Sequence, residues 1–515
     1  MESFLKCLIA GFLLLPSALD AEIFCGQSWF SGGAIIQQGV PFRIHGTDTP
    51  GTPISLTGFG LELEATTSNE GQWEFIMPAL DGGLTSDITI QGNGTIHWRL
   101  IQTGEVWMVA GQSNVIFPMA SDSEGHLFLG RYLRRLNRQM PIRIWHEPGK
   151  IGTVGHQYPS GAWKSFDSEN LVHFSAVAGY LGEFLSQSLT VPLGVVVSSW
   201  GGTNARMWLP EESVSEYPEL SPHTLDFDTL LINDWAAALE QWRLTQTPRL
   251  DGRAPFHVLA PGRPYTTGDI YDGMIRPFEE MPVRGIVYYQ GESDVYRPHH
   301  HAAILPRLIT SWRQRRNNSP EELPFFVIQI PGWDFDRMRT AGEAYAEVQQ
   351  KSLMASLREA QRLAALTTPN THLICGLDTS TIDDVHPLDK KTLSSRLTRA
   401  IRHVVYDQPG LYSGPVLKEA TFNGNQVTLT FSGVGDGIQL MTEPVSGFTV
   451  ASTSGAFRAA DAEVTAPDTI LVKAPARFLV DIVRYAWNDF PFVALNDSEG
   501  NPATSFEVIR PGARD

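Results

Sequence analysis

Cysteine is scarce in this sequence: only 3 stand among 515 residues, and Cys7 falls in an N-terminal apolar segment, leaving Cys25 and Cys375. A chain this long with so few thiols is not built on a disulfide framework, and no Cys or His spacing resembles a zinc site. Positive charge is also short. With 39 Lys plus Arg against 56 Asp plus Glu, the net charge of -17 argues against a nucleic-acid partner or an anionic membrane surface, both of which demand clustered positive charge. The short basic run from Arg313 to Arg316 reads as a solvated helix end rather than an anion site. Long apolar runs are missing as well: past Leu15 nothing approaches the roughly 20 residues that span a bilayer. Internal repeats and low-complexity tracts are absent too.

What is there begins with MESFLKCLIAGFLLLPSALDA, which has one lysine, an apolar stretch from Cys7 to Leu15, a proline, and small residues near Ala18 and Ala21. That is the pattern of a signal peptide over residues 1–21, so a secreted or periplasmic location is expected. Two or three domains are expected from the length. In 22–103, alternating runs at Ile54 to Leu56, Trp73 to Ile76 and Ile88 to Ile90, with glycine turns at Gly71 and at Gly82-Gly83, predict a small antiparallel β-sandwich. In 104–408 the pattern changes to α/β. Nearly continuous apolar runs at Val106 to Ala110, Val195 to Val197, Ile286 to Tyr289, Phe325 to Ile330 and Leu373 to Cys375 predict parallel strands buried on both faces. Amphipathic segments lie between them: Phe174, Val177, Leu181, Phe184 and Leu185 share one helical face, and Leu393, Leu397, Ala400, Ile401 and Val404 another. A doubly wound parallel sheet follows, with ligands outside the carboxyl ends of its strands. Residues 211–271, rich in proline and polar side chains, read as an excursion beside the sheet. Over 409–515 period-two alternation returns, as in Val427 to Phe431, and predicts a second β-sandwich.

Polar clusters follow the central strands at Gly111-Gln112-Ser113-Asn114, Ser199-Trp200-Gly201-Gly202-Thr203, Gln290-Gly291-Glu292-Ser293-Asp294 and Asp383-Asp384-Val385-His386-Pro387. In a doubly wound sheet all would meet at one edge. Ser113 is either the cap of the next helix or a nucleophile. The second role requires a base for the hydroxyl proton and a carboxylate to orient that base. His386 meets the first need. Asp383, three residues before it, is preferred for the second because i, i+3 positions can meet, with Asp384 close behind. Oxyanion donors are available from Ser113 N–H, the Gly201 or Gly202 N–H and the Gln290 side chain. Gln112, Asn114 and Glu292 are supporting candidates, Glu292 either as a buttress or as the acid partner of the histidine. The run His299 to His301 invites a metal, but adjacent positions point apart, so it reads as a solvated loop.

In this order and spacing the clusters resemble the SGNH hydrolase superfamily and, more narrowly, the sialate O-acetylesterase family of carbohydrate esterases. The motifs are GQSN at 111–114, SSWGGT at 198–203 followed by Trp208, YYQGES at 288–293, DDVHP at 383–387 and VRYAWNDFP at 483–491. The likeness covers nearly all of the chain after the N-terminal segment. It implies a serine esterase with Ser113 as nucleophile and His386 as base. Ser113 N–H, the Gly-Gly turn and Gln290 would form the oxyanion hole, with no metal or other cofactor required. The implied partner is an O-acetylated sugar, sialic acid foremost, with acetylated xylan or another polysaccharide as the rival; the sequence assigns no oligomeric state. Trp107, Trp200 and Trp208 are candidate faces for a sugar ring or core residues. One position departs from the family: its pattern often reads QGESN, and Asp294 stands here, an acceptor that cannot donate when ionised. That departure suggests a further alternative, a carbohydrate-binding protein with a decayed esterase centre. The G-x-S-x-G elbow is not met, because Val115 occupies its second glycine position.

Overall fold

The apolar runs in the middle of the chain form one parallel sheet. In a computed structural model the described residues are 23–123, 141–149, 159–167, 170–214, 267–295, 297–316, 318–319, 322–333, 352–382, 384–442, 446–453 and 455–513. The segment read as a signal peptide, most of the 211–271 excursion and Asp383 lie outside them. Across the sheet the strands run Trp163–Ser165, Ile142–Glu147, Leu193–Ser199, Thr95–Gly111, Gly285–Tyr289, Phe325–Ile328 and Thr371–Ile374. All neighbours pair in parallel except the antiparallel edge strand Trp163–Ser165. Each run anticipated as a strand forms one, and Ile142–Glu147 and the edge strand Trp163–Ser165 are additions.

Alternation along these strands supplies two cores, because successive side chains point to opposite faces. Val106, Met108 and Ala110 enter one layer with Val196, Ile286, Tyr288 and the Leu305, Leu308, Ile309 and Trp312 face of helix Pro298–Arg315. Trp107 and Val109 enter the other with Val195, Val197, Val287 and helices Ala176–Ser186 and Lys390–Tyr406. Helix starts are set locally. Ser175 accepts from Ala178 N–H, Ser352 from Ala355 N–H, and Asp389 from Thr392 N–H, each satisfying a first-turn donor.

The Thr95–Gly111 strand continues unbroken through the 103/104 boundary expected from sequence. Its first half pairs with Ile35–Gln37 and Thr85–Gln91, so the N-terminal strands join the central sheet. A separate three-stranded sheet holds Phe24–Cys25, Phe42–Thr47 and Gln72–Met77. Toward the other end, two four-stranded antiparallel sheets share one core, with Val427, Leu429, Ile470 and Val472 from one and Phe448, Val450, Val483, Tyr485 and Phe506 from the other. Helix Leu353–Thr367 docks this unit. Buried Arg358 donates to Ser505 Oγ at 3.2 Å and to the Asn488 carbonyl, and Ser352 Oγ donates to Asp489 Oδ1. The segment VRYAWNDFP is therefore a docking strip.

Two expectations are overturned. His299 to His301 lie in the first turns of helix Pro298–Arg315, not in a solvated loop, and His301 is fully buried with Nδ1 3.1 Å from Asp294 Oδ2. Pro298 at the first helical position was the available signal. Arg313 and Arg316 do not form a solvated end either. Arg313 is buried and donates to three carbonyls, and Arg316 Nη1 donates to the Met281 carbonyl at 2.8 Å. Cys25 and Cys375 are both free, buried thiols, each pushed by burial up to about 12.

Candidate active site

Three central strands end level. Ser199 and Tyr289 both pair with Gly111, so the chain leaves the sheet at Gln112, Trp200 and Gln290 side by side. Here the strand order reverses direction, the topological switch point where parallel sheets bind ligands. Gly111 is obligatory: its φ is +146°, and a Cβ there would collide with the Tyr289 carbonyl oxygen. That turn throws Ser113 onto the rim as the first residue of the single-turn helix Ser113–Ile116. The capping alternative fails, since Gln112 holds the cap position and no side chain caps this helix.

Ser113 Oγ instead lies 2.8 Å from His386 Nε2. On the far side of the ring, Nδ1 lies 3.2 Å from Asp384 Oδ1, which also accepts the His386 backbone N–H at 2.8 Å. With Nδ1 donating to the carboxylate, Nε2 is left as the acceptor for the hydroxyl proton. Burial works to raise the Asp384 carboxyl, but the hydrogen bonds and charge of His386 outweigh it and hold the group below its ordinary value. Asp383, preferred from spacing, lies outside the described residues.

The glycine turn stands against the serine. A Cβ on Gly201 would be 3.3 Å from Ser113 Cβ and 3.8 Å from Ser113 N, a tight contact that glycine avoids. Gly202 has φ +73°. Ser113 N–H belongs to a first helical turn, where no carbonyl four residues back can take it. Gln290 is fully buried with Nε2 donating to the Thr203 carbonyl; in this structure it braces the glycine turn from beneath. Trp208 is likewise fully buried, with Nε1 donating to Thr203 Oγ1 at 2.9 Å. Neither Trp208 nor Trp107, also fully buried, has a face to offer a sugar; Trp200 is part-exposed.

Glu292 takes the buttress position. Its two oxygens accept from Gln112 Nε2 and Asn114 Nδ2, and Ser293 Oγ donates to Gln112 Oε1 at 2.8 Å. Burial pushes the Glu292 carboxyl above its ordinary value, even though its own N–H, Asn114, the His386 charge and Gln112 oppose the rise. Asp294 is well matched to its place. Oδ2 accepts the Ala205 N–H at 3.0 Å and faces His301 Nδ1, so an acceptor-only side chain suits both partners.

Sequence reasoning missed Lys390. It is fully buried and its Nζ donates to Asn114 Oδ1 at 2.7 Å and to the Pro387 carbonyl at 2.6 Å. The available signal was the pair Lys390-Lys391 opening a helix, the end where cations are disfavoured.

No family model matches the chain. It is 24% identical over 490 residues to the sialate O-acetylesterase of Rattus norvegicus, across 87% of this chain and 86% of that one. To the sialate O-acetylesterase of Homo sapiens it is 23% identical over 441 residues, across 78% and 76%. Among solved structures, a carbohydrate acetylesterase from Xanthomonas citri matches with a TM-score of 0.76 at 26% identity, covering 94% of this chain and 99% of that one.

Proposed function

We propose that this chain, a carboxylic ester hydrolase of the sialate O-acetylesterase family, removes O-acetyl groups from sugars through an acetyl-Ser113 intermediate. Ser113 Oγ attacks the acetyl carbonyl while His386 Nε2 takes its proton, and Asp384 stabilises the resulting imidazolium. Ser113 N–H and the Gly201-Gly202 turn receive the oxyanion, with Gln290 holding that turn in place. The sugar oxygen leaves with the proton from Nε2. Water, deprotonated by the same nitrogen, then releases acetate and frees the serine. O-acetylated sialic acid is the proposed substrate, acetylated xylan the rival. On this reading residues 1–21 are a signal peptide, the protein is exported, and the β units of 22–103 and 409–515 are sandwiches framing an SGNH hydrolase unit at 104–408.

The observation carrying the proposal is the 2.8 Å contact between Ser113 Oγ and His386 Nε2. The decayed-centre alternative gains nothing from Asp294, whose carboxylate is engaged by Ala205 and His301. A chromogenic acetyl ester tests the chemistry: turnover by the wild type should vanish in Ser113→Ala, and activity that survives refutes the nucleophile. Acetate release measured side by side on O-acetylated sialic acid and acetylated xylan fragments decides the substrate, and faster release from xylan would reverse the preference.

A further inference from the structure

Lys390 breaks two local rules. It is the first residue of helix Lys390–Tyr406, where the helix dipole opposes a cation. It is also 0% exposed; desolvation brings its amine down from the ordinary value to about 7, against the pull of Glu292, Asp122, Asp384 and Asp389. The helix start does not require this side chain. Asp389 caps it by accepting from Thr392 N–H at 2.9 Å, and the Lys390 N–H is satisfied by Asp122 Oδ2 at 2.9 Å.

The ammonium reaches toward the reacting groups instead. Nζ lies 4.6 Å from the centre of the Phe117 ring and donates to Asn114 Oδ1 and the Pro387 carbonyl. Asn114 follows Ser113, and Pro387 follows His386. Once Oδ1 faces the ammonium, the amide has one orientation left, with Nδ2 donating to Glu292 Oε1 and to the Val385 carbonyl at 3.1 Å. A flipped amide would turn its oxygen toward the Glu292 and Val385 acceptors and lose these bonds. The carbonyls on either side of His386, those of Val385 and Pro387, are thus both held by the Lys390 and Asn114 pair.

We propose that Lys390 is a positioning residue which, through Asn114, fixes the His386 loop against the Ser113 turn so that Nε2 stays within reach of Oγ. The proposal rests on the acyl-serine reading above. Lys390 touches no reacting atom, and its effect should fall on kcat rather than on binding.

The full chain and a chromogenic acetyl ester provide the test. Lys390→Met, which fills the space without a donor, should lower kcat about 10- to 100-fold, the scale of a small misplacement of reacting groups. KM should move less than about two-fold. Asn114→Ala should lower kcat comparably, and the double variant should be no worse than the poorer single one, because the two residues act in series. A Lys390→Met kcat within about two-fold of wild type overturns the proposal, as do losses that multiply in the double variant. If Lys390→Met does not fold, Lys390→Gln supplies the same cycle with Asn114→Ala, and multiplying losses there have the same meaning. Ser113→Ala separates the two ideas: turnover that survives it refutes the acyl-serine reading, while its loss beside an undiminished Lys390→Met rate refutes only the positioning role.

Discussion

Arg313 and Lys390 are buried basic side chains at opposite ends of the same parallel sheet, at 2% and 0% exposure. The Arg313 guanidinium donates to the carbonyls of Leu323 at 2.9 Å, Pro369 at 2.8 Å and Asn370 at 2.7 Å. These residues lead into strands Phe325–Ile328 and Thr371–Ile374, so Arg313 fixes the amino ends of the sheet. Lys390 fixes segments beyond the carboxyl ends. Each directs its donors to oxygen atoms of segments outside the strands. The difference lies in what the held loops carry. At one end they carry strand starts only; at the other they carry Ser113 and His386. On the proposed reading, one physical device supports stability at the amino end and chemistry at the carboxyl end, where a doubly wound sheet presents its ligand site.

The strongest way to break that comparison is Arg313→Met. Losing three hydrogen bonds, at roughly 1 kcal/mol each, should destabilise the chain by about 3 kcal/mol in urea denaturation. The kcat of the folded protein should stay within about two-fold of wild type. A large fall in kcat at unchanged stability would show that the amino end also serves the chemistry. The Lys390 end differs in its pH response. The folded amine titrates at about 7 and the unfolded one near 10.5, so between those values the unfolded chain binds a proton that the folded chain does not, and folding becomes more favourable as pH rises. Relative to Lys390→Met, the wild type should gain about 2 kcal/mol of unfolding free energy from pH 7 to pH 8.5. A flat difference would place the amine outside the buried network.

Much of the frame was legible, for a definite reason. Parallel strands buried on both faces leave continuous apolar runs, and the five runs from Val106 to Cys375 became neighbouring strands. The strand Ile142–Glu147 was not legible, because IRIWHE interleaves charged and apolar side chains as a surface segment does. The rim clusters were readable because glycine and small polar residues end each strand where the backbone must turn sharply. The network beneath them was not. Lys390 and Asn114 are 276 positions apart, and neither residue type announces a contact at that range. Trp208 was open for the opposite reason: an aromatic side chain beside a polar motif fits a sugar face as well as a core, and here it is fully buried.

The smallest expected effect concerns the carboxylate on His386. Preference for Asp383 rested on i, i+3 spacing, which a turn or a short helix can bring together. Thr381 and Asp384 form an isolated antiparallel bridge, and Asp384 Oδ1 accepts the N–H two residues on, at His386. That is the reach of a turn-forming aspartate, and it sets the same oxygen 3.2 Å from Nδ1. Asp384→Asn should therefore lower kcat about tenfold, modestly because the carboxylate is 52% exposed and solvent shares its task of stabilising the imidazolium. The melting temperature should hardly move, in contrast to Arg313→Met. If Asp383→Asn instead produced the larger loss of kcat, the orienting carboxylate would be Asp383, and Asp384 would keep only its turn.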